Sequence, residues 1–480
     1  MAPAAQAQAF PAYCQQAVTA IAQKDKLRQD AFKGNKDAQK KYKTLLAQHG
    51  DRLKKCRNQT WPQNQAIWIR LYPCDVKPGM LESVLDRIVD RGYNQVYVES
   101  FYNGRVLLPA NQNPTPWNSV LTGTGADNED LLAQAIKKGE ERGLKVYAWL
   151  FGMNFGTSYV NRGDRQRAIA RNGYGQTSLV AHVIRGLSTE LGQLNPEEAF
   201  IDPYSLEVRQ DYETLVRAIA QRKPSGILVD YIRYPRGYGA ASVASKVQDL
   251  WVYGESSQQA LLQRAMNSPA AALLQRYLTQ GSIRVEDVRE LSRQFPQEKA
   301  LYLQGVGNLS LDGGVSARQV AKLQAELWRL SVAHAAQGVI EFVSHAVATV
   351  RNQNLPVGAV FFPDGNSTVG QGYDSRLQLW DRFPAYAEWH PMAYGICGNT
   401  NCIMQQVQRV LSRAPVGTQV KPVLAGVWQQ SLGNRPPLEQ QMQALRAIAP
   451  QVKTVSHFAY SWQEPGSDRD RKACSLPRRY

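Results

Sequence analysis

Several kinds of sequence signal are missing from this 480-residue chain. It has no run of 18 or more apolar residues, so it encodes no membrane-spanning helix. No G-x-G-x-x-G motif follows a predicted strand, which removes the main argument for a nucleotide site. The chain has six histidines and neither an H-E-x-x-H motif nor paired C-x-x-C motifs, so we expect no metal and no cofactor. It also lacks motifs for RNA or DNA binding, and we expect no nucleic-acid partner.

Negative charge is scarce at the N-terminus. The whole chain has a formal charge of +16, and residues 1–60 hold 12 Lys or Arg against 4 Asp, which is half of that excess. Such a basic arm indicates an anionic partner, such as anionic lipid, nucleic acid or an anionic cell-wall polymer. The alternative is an ordinary solvated helical surface.

The chain divides near Trp61-Pro62. The first nine residues resemble the end of a signal peptide, with Ala-x-Ala spacing but no basic or apolar region before it; a plain disordered tail is the alternative. Residues 10–58 predict two basic helices around Gly34-Asn35, with a thin apolar seam and loose docking. We therefore expect a signal remnant with a basic helical hairpin over 1–62 and a second domain over 63–480.

The chain has an even number of cysteines, six in all. Cys14 and Cys56 flank the predicted hairpin, and Cys397 and Cys402 flank a turn-rich loop. Cys74, after the first predicted strand, is then left for Cys474, in the tail after the last. Three such disulfides fit an oxidising compartment, although six cysteines allow 15 pairings. We expect a periplasmic or secreted protein that is a monomer.

From residue 66 onward, predicted strands alternate with predicted helices, which indicates a parallel sheet. Eight strands with intervening helices predict a (β/α)8 TIM barrel; an open doubly wound sheet is the alternative. The predicted strands are Ala66–Pro73, Gln95–Tyr102, Lys145–Gly152, Gly226–Tyr234, Val357–Pro363, Glu388–Tyr394, Val420–Val427 and Thr454–Trp462.

Two long insertions interrupt this alternation. Residues 154–195 are rich in Gly, Arg and Asn, and residues 237–316 are largely helical, with helices predicted over 258–278 and 285–295. Both follow the carboxyl ends of strands, where the loops of a TIM barrel build substrate walls.

The fourth strand carries the most informative motif. The aliphatic run of residues 227–229 ends in Asp230-Tyr231-Ile232-Arg233-Tyr234-Pro235. With the upstream segment Ile201-Asp202-Pro203-Tyr204-Ser205-Leu206-Glu207-Val208-Arg209 and with His390-Pro391-Met392-Ala393-Tyr394, it resembles the bacterial glycoside-hydrolase-like family 10 proteins. These are extracytoplasmic TIM barrels related to enzymes that cut denuded peptidoglycan glycan strands. The resemblance implies a glycosidase acting on a polysaccharide, with cell-wall glycan as the candidate substrate.

Glycoside hydrolysis needs two carboxyl groups, one as proton donor and one as base or nucleophile. Asp230 is the first candidate for the acid, since aromatic neighbours would desolvate it and raise its pKa. Asp364 and Glu99, near the ends of other strands, are candidates for the second carboxylate. The alternatives are structural: Asp230 pairs with Arg233 or Arg70, Asp364 is a turn residue, and Glu99 is a buried ion-pair partner.

Polar and aromatic side chains at the strand ends are candidates for binding the glycan, because sugar rings stack on flat aromatic surfaces. They are Arg70, Tyr102, Trp149, Tyr231, Arg233, His390, Tyr394, Trp428, Trp462 and Glu464. The related family often has two adjacent acidic residues after strand four, whereas Val229 and Tyr231 flank Asp230 here. A non-catalytic glycan-binding barrel is therefore the second hypothesis.

Overall fold

The core of the molecule is a closed parallel barrel. The computed structural model describes residues 11–179, 197–306, 308–311 and 315–476. Each barrel strand pairs in parallel with two neighbours, and the first strand pairs with both the second and the last, which closes the ring. The strands are β1 (Asn64–Ile69), β2 (Gln95–Tyr102), β3 (Lys145–Phe151), β4 (Gly226–Asp230), β5 (Val357–Phe361), β6 (Glu388–Ala393), β7 (Val423–Ala425) and β8 (Thr454–Phe458). This is the predicted (β/α)8 TIM barrel.

The predicted strands extend beyond the observed ones mainly at the carboxyl side. Hydrogen bonding in β1 stops at Ile69 and in β4 at Asp230, so Arg70 and Arg233 lie on loops above the barrel. Strand β7 is reduced to three residues. The apolar pattern indicates burial, but it does not mark where the ladder of hydrogen bonds ends.

Helices surround the barrel. They are α1 (Val18–Phe32), α2 (Lys36–Gln59), α3 (Met80–Asp90), α4 (Leu131–Glu140), α5 (Leu206–Ala220), α6 (Glu255–Leu262), α7 (Ser268–Gln280), α8 (Val285–Gln294), α9 (Ala317–Arg351), α10 (Asn401–Leu411), α11 (Leu438–Ile448) and α12 (Pro465–Ala473). Single helical turns cover Thr157–Val160 and Tyr460–Gln463. The connection from β5 to β6 is fully described and contains no α-helix.

The insertion after β4 differs from its prediction in one place. A single helix was expected over 258–278, but the structure has two, α6 and α7. Pro269 occupies the first turn of α7. Proline has no amide hydrogen and clashes with the preceding turn, so it begins a helix readily and interrupts a continuous one.

Short additional strands lie in the connections that follow the barrel strands. Thr368–Val369 and Gly372–Asp374, from the β5–β6 connection, form a small sheet with Val243–Ala244 of the β4 insertion. Two further pairs of short strands are Arg105–Val106 with Asn118–Ser119 and Ala300–Leu301 with Leu309–Ser310. The first nine residues, all of 180–195, and residues 307 and 312–314 of the second insertion lie outside the described residues.

The N-terminal helices α1 and α2 are held on the barrel by buried ion pairs. Asp86 of α3 accepts hydrogen bonds from Arg28 (2.8 Å), Tyr42 (2.7 Å) and Arg142 (2.8 Å). Burial alone would raise the pKa of Asp86, but the positive charges around it hold that pKa below its usual range. Lys24 also pairs with Asp90 at 2.5 Å. The docking is therefore ionic and desolvated, in contrast to the loose docking that the thin apolar seam predicts.

All three predicted disulfides are confirmed. The Cα–Cα distances are 5.8 Å for Cys14–Cys56, 6.0 Å for Cys74–Cys474 and 6.2 Å for Cys397–Cys402. Cys74–Cys474 ties the loop after β1 to the chain after α12, because β1 and β8 are neighbours in the closed barrel. No helix in the described part of the chain combines the length and the apolarity that crossing a membrane requires.

Candidate active site

A cavity of about 250 Å³ opens at the carboxyl end of the barrel strands. Its walls come from the carboxyl ends of seven of the eight barrel strands, and they combine aromatic rings with a few charged groups. The lining residues are Trp68, Arg70, Glu99, Asn103, Trp149, Phe151, Asp230, Tyr231, Arg233, Val360, Phe362, Met392, Tyr394 and Phe458. Seven of the sequence-predicted site residues are thus brought together: Arg70, Glu99, Trp149, Asp230, Tyr231, Arg233 and Tyr394.

Asp230 is the last residue of β4, and its carboxyl group faces this cavity. One oxygen accepts a hydrogen bond of 3.1 Å from Trp149 Nε1, and the other accepts one of 2.6 Å from the backbone N–H of Tyr231. Burial raises the pKa of Asp230 to about 6, although these hydrogen bonds and the charge of Arg233 oppose the change. The carboxyl group is thus able to be protonated near neutral pH, as a proton donor must be.

Asp230 is not the ion-pair partner of an arginine. Arg70 bonds to Glu99, and the Arg233 guanidinium donates to the carbonyl oxygen of Tyr234 at 3.0 Å. The structural alternative for Asp230, pairing with Arg70 or Arg233, is therefore not what the structure contains.

Glu99 lies on β2, close to the floor of the cavity. Its side chain is 3% exposed and forms an ion pair with Arg70, whose side chain is 37% exposed. Burial raises the pKa of Glu99, and the contact with Arg70 acts in the opposite direction. The Arg70 guanidinium also lies 4.2 Å from the ring centroid of Tyr102. Tyr102, a predicted binding residue, therefore supports the ion pair but does not line the cavity.

Tyr231 adopts a left-handed backbone conformation, with φ of 52°. A non-glycine residue in this region is uncommon and is held there by its surroundings. The Tyr231 ring stacks on Phe151 at 4.1 Å, and the Arg233 guanidinium lies 4.8 Å from its centroid. These contacts fix the wall beside Asp230.

Sequence reasoning missed Glu198. This carboxyl group is hydrogen-bonded by the side chain of Tyr231 and lies close to the charge of Arg233, while burial raises its pKa. It belongs to the segment between β3 and α5, far from any strand end, and no sequence signal distinguished it. Seven lining residues were also missed, although each lies in or just after a barrel strand: Trp68, Asn103, Phe151, Val360, Phe362, Met392 and Phe458.

Asp364 is placed elsewhere. Its side chain is 52% exposed and pairs with Arg376 at 2.9 Å, and it does not line the cavity. The chain turns directly after β5, where Gly365 N–H donates to the Phe362 carbonyl oxygen, and this turn carries Asp364 away from the barrel axis. Its surroundings match the turn residue that was the alternative for this position.

Four other predicted binding residues also lie outside the cavity lining. His390 is buried inside the barrel below the floor, with its ring 6.5 Å from Trp68 and its Nε2 3.3 Å from Glu388. Burial lowers the pKa of His390, so it is neutral near pH 7. Trp428 Nε1 donates to the Tyr93 hydroxyl at 3.3 Å, in a separate part of the core.

The last two of these residues, Trp462 and Glu464, follow β8, the final strand of the barrel. Glu464 pairs with Arg87 (3.1 Å) and Arg91 (2.6 Å) on α3, away from the cavity. Trp462 packs edge-on against Phe458, a lining residue, with 5.6 Å between the ring centroids. It supports the wall from behind. Within the described residues, no three His, Cys, Asp or Glu side chains are grouped so as to hold a metal ion.

Comparisons with known proteins identify no family. No family model matches the sequence, and no curated protein matches it. Similar solved structures include a GH20 exo-β-N-acetylglucosaminidase from Vibrio harveyi, with 10% identity, a TM-score of 0.42, and coverage of 85% of this chain and 52% of that one. The chain therefore spans about half the length of that enzyme.

Two further similar structures cover most of this chain. The GH20 β-N-acetylhexosaminidase of Streptomyces coelicolor A3(2) is 7% identical, with a TM-score of 0.41 and coverage of 86% of this chain and 62% of that one. Aspergillus fumigatus Ega3, in complex with galactosamine, is 9% identical, with a TM-score of 0.34 and coverage of 84% and 93%. At these identities the chemistry of this chain rests on its own residues, and the resemblance to family 10 stays a prediction.

Proposed function

We propose that this protein is a glycoside hydrolase that acts on a polysaccharide. The observation that carries the proposal is Asp230, a buried carboxyl group with its pKa raised to about 6, at the mouth of an aromatic cavity. A carboxyl group that is protonated near neutral pH is what is needed to donate a proton to a glycosidic oxygen.

The second carboxylate in this proposal is Glu99. It lines the same cavity, and its charge is close enough to raise the pKa of Asp230. The ion pair with Arg70 favours the ionised form of Glu99, which a base or nucleophile requires, and it opposes the burial that leaves the pKa of Glu99 raised overall. Asp230 would then be the proton donor and Glu99 the group that acts on the opposite side of the sugar.

The cavity volume of about 250 Å³ is slightly below the roughly 300–1,000 Å³ of sites for drug-sized ligands. It therefore suits one sugar ring rather than several. Aromatic side chains of Trp68, Trp149 and Phe362 offer flat surfaces to the C–H faces of that ring, and Asn103, Arg70 and Arg233 offer hydrogen bonds to its hydroxyl groups. We propose cell-wall glycan as the polymer, on the resemblance described above.

The test is the substitution Asp230→Asn, assayed by release of reducing ends from purified glycan strands and from neutral polysaccharides. We expect turnover to fall by about 10²–10⁴-fold, as is typical for the loss of proton transfer. Asp364→Asn is the matched control, because it makes the same chemical change in the turn after the neighbouring strand β5, outside the cavity. Thermal unfolding of both variants reports whether the fold is kept.

The alternative function is a non-catalytic barrel that binds glycan. The buried pairing of Glu99 with Arg70 favours it, since that pairing is also a common structural arrangement. In that case the wild type binds oligosaccharides but releases no reducing ends, and Asp230→Asn changes affinity rather than turnover. Absence of turnover on every glycan tested would therefore contradict the hydrolase and leave the binding protein.

We further propose that the protein is secreted or periplasmic. Three disulfides with no free cysteine among the described residues support an oxidising compartment. Fractionation of the native host, followed by thiol labelling without reductant, tests this. Labelled cysteines in a cytoplasmic fraction would contradict it.

The hairpin of α1 and α2 is proposed to bind an anionic cell-wall polymer. Three of its cations are buried, namely Lys24, Arg28 and Arg57, but the remaining Lys and Arg side chains of residues 24–57 are exposed. They surround an open groove between the two helices, whose charged lining consists of Lys26, Lys40 and Lys41 with Asp30 and Asp37.

The test compares two charge reversals in sedimentation with purified sacculi. Lys40→Glu with Lys41→Glu should weaken binding at about 0.01 M ionic strength, where charges act over ~30 Å, and the difference should vanish near 1 M salt. Lys299→Glu with Lys322→Glu makes the same change in net charge at exposed positions away from the hairpin. Equal losses in both double variants would show a non-specific effect of net charge.

A further inference from the structure

A second and larger cavity lies beside the first. Its volume is about 440 Å³, and it is lined by the loops after β3, β4 and β5. Arg233 lines the first cavity and Pro235 lines the second. Two residues of extended chain span at most ~7 Å, so the two cavities adjoin along this stretch.

Backbone hydrogen bonds hold the walls of the second cavity together. Gly173 N–H, from the loop after β3, donates to the Gln248 carbonyl oxygen at 2.9 Å. A Cβ at Gly173 would lie 2.6 Å from the Gln248 Cα, so the two loops touch through a residue without a side chain. On the other side, Ser375 N–H donates to the Ser242 carbonyl oxygen at 2.9 Å. The cavity is therefore formed before any ligand binds.

The lining combines aromatic rings with cations. Trp251 is buried in the wall, while Tyr174 and Tyr238 face the opening. The Arg236 guanidinium lies 5.9 Å from the Tyr238 ring centroid, and Lys246 Nζ lies 5.5 Å from that of Tyr174. Each cation thus stands beside an aromatic surface, an arrangement that suits a sugar with a negative substituent.

Among the described residues, Asp249 is the one carboxylate that lines this cavity, and its oxygens are already engaged. Oδ1 accepts a hydrogen bond of 2.9 Å from the Tyr174 hydroxyl. Oδ2 accepts from the backbone N–H groups of Ser245 (2.9 Å) and Lys246 (3.1 Å). Asp249 therefore orders the loop, and its charge also acts on Lys246, which is hydrogen-bonded to the Tyr174 hydroxyl. Within the described residues, no carboxylate lies within ion-pair distance of Arg236.

We propose that the second cavity is a subsite for a sugar unit that carries a carboxylate, adjacent to the ring held at Asp230. This rests on the proposed glycoside hydrolase function. Arg236 and Lys246 bind the carboxylate, and Tyr238 and Trp251 contact the ring. The substrate is then an acidic polysaccharide with one sugar in each cavity. The loops after β3, β4 and β5 bind the sugar that carries the carboxylate.

Binding is measured by calorimetry in the Asp230→Asn protein, which keeps the cavities but should not consume the ligand. The probes are a denuded cell-wall glycan oligomer, the same oligomer with its carboxyl groups reduced to alcohols, and a chitin oligomer of equal length. We expect the carboxylated oligomer to bind about tenfold or more tightly than the other two, as is typical of a charge-assisted hydrogen bond.

Arg236→Gln and Lys246→Gln should each remove most of this preference while leaving the affinity for chitin oligomer unchanged. Lys299→Gln, a charge change outside both cavities, should keep the preference. Equal affinity for all three probes, no measurable binding of any, or a preference that survives both substitutions would overturn the subsite.

The outcome is separable from the hydrolase proposal. If wild-type protein cleaves neutral oligomers and shows no preference for carboxylates, the subsite is wrong and the hydrolase stands. If a preference dependent on Arg236 is found in a protein that cleaves nothing, the hydrolase is wrong and the subsite stands.

Discussion

Trp149 donates a hydrogen bond of 3.1 Å from its indole nitrogen to the carboxyl group of Asp230 on the adjacent strand. The bond favours the ionised carboxylate, whereas the burial that Trp149 helps to produce favours the neutral acid. One aromatic residue thus acts in both directions on the group proposed as the proton donor, and the net result is a pKa of about 6.

The first prediction concerns the pH dependence of kcat/KM. Because Asp230 must be protonated to act as the acid, kcat/KM should fall as pH rises above about 6, where the carboxyl group of the free protein ionises. Trp149→Phe removes a hydrogen bond to the ionised form, so the pKa of Asp230 should rise and this limb of the profile should move to higher pH. Kinetics on a soluble glycan oligomer between pH 4 and 9 measure the shift.

Phe362→Leu is the control for this measurement. Phe362 also lines the cavity but has no hydrogen bond to Asp230, so its loss should lower kcat/KM without moving the limb. If the fall of kcat/KM occurs at the same pH in Trp149→Phe as in the wild type, or shifts equally in both variants, the indole hydrogen bond does not set the pKa of Asp230.

The second prediction concerns the stability of the Arg70–Glu99 pair. Glu99 is 3% exposed and Arg70 37% exposed, so the two single substitutions should not be equivalent. Arg70→Gln leaves a buried carboxylate unpaired and should cost about 1–3 kcal/mol of unfolding free energy. Glu99→Gln leaves an arginine that still reaches water, and it should cost less. Urea unfolding at pH 7 measures both.

The double variant Arg70→Gln/Glu99→Gln completes the cycle. Its cost should be smaller than the sum of the two single costs by about 0.5–3 kcal/mol, as is typical for residues in contact. Strict additivity would mean that the two side chains do not interact in solution.

The third prediction concerns the attachment of the hairpin to the barrel. Asp86 is fully buried and accepts hydrogen bonds from Arg28, Tyr42 and Arg142. Asp86→Asn removes the charge that these arginines share and should cost about 3–5 kcal/mol, the usual cost of breaking a buried ion pair. The hairpin should also become more accessible to protease. Thermal unfolding and limited proteolysis measure the two effects.

Asp51→Asn provides the comparison, since Asp51 is exposed on α2 and has no such partners. A surface change of this kind is usually within about 0.5 kcal/mol. Similar losses for Asp51→Asn and Asp86→Asn would mean that the hairpin is not held by the Asp86 network.

Local sequence pattern was enough to predict most of the barrel. Strand β2 has its predicted bounds, Gln95–Tyr102. The apolar positions of helix α9, Ala317–Arg351, recur with the helical period along its whole length. The prediction failed where one residue changes the backbone, as at Pro269, which divides the helix expected over 258–278.

The disulfides were predictable for a related reason. Cys14–Cys56 and Cys397–Cys402 each flank a local unit of structure, so their pairing follows from the helices and turns between them. Cys74–Cys474 required only the closure of the barrel, which makes the first and last strands neighbours.

The sequence by itself determined the order of strands and helices and the identity of Asp230 as a strand-end carboxylate, because these depend on periodicity and on position within a strand. It predicted a barrel with an open sheet as the alternative, and the pairing of β1 with β8 decided between them. Only the tertiary structure decided which side chains meet. The turn after β5 directs Asp364 to Arg376, Arg70 pairs with Glu99, and Glu198 reaches Tyr231 from a distant part of the chain. Such contacts depend on side-chain direction and on charges brought together from separate strands and loops, and no local pattern in the sequence records either.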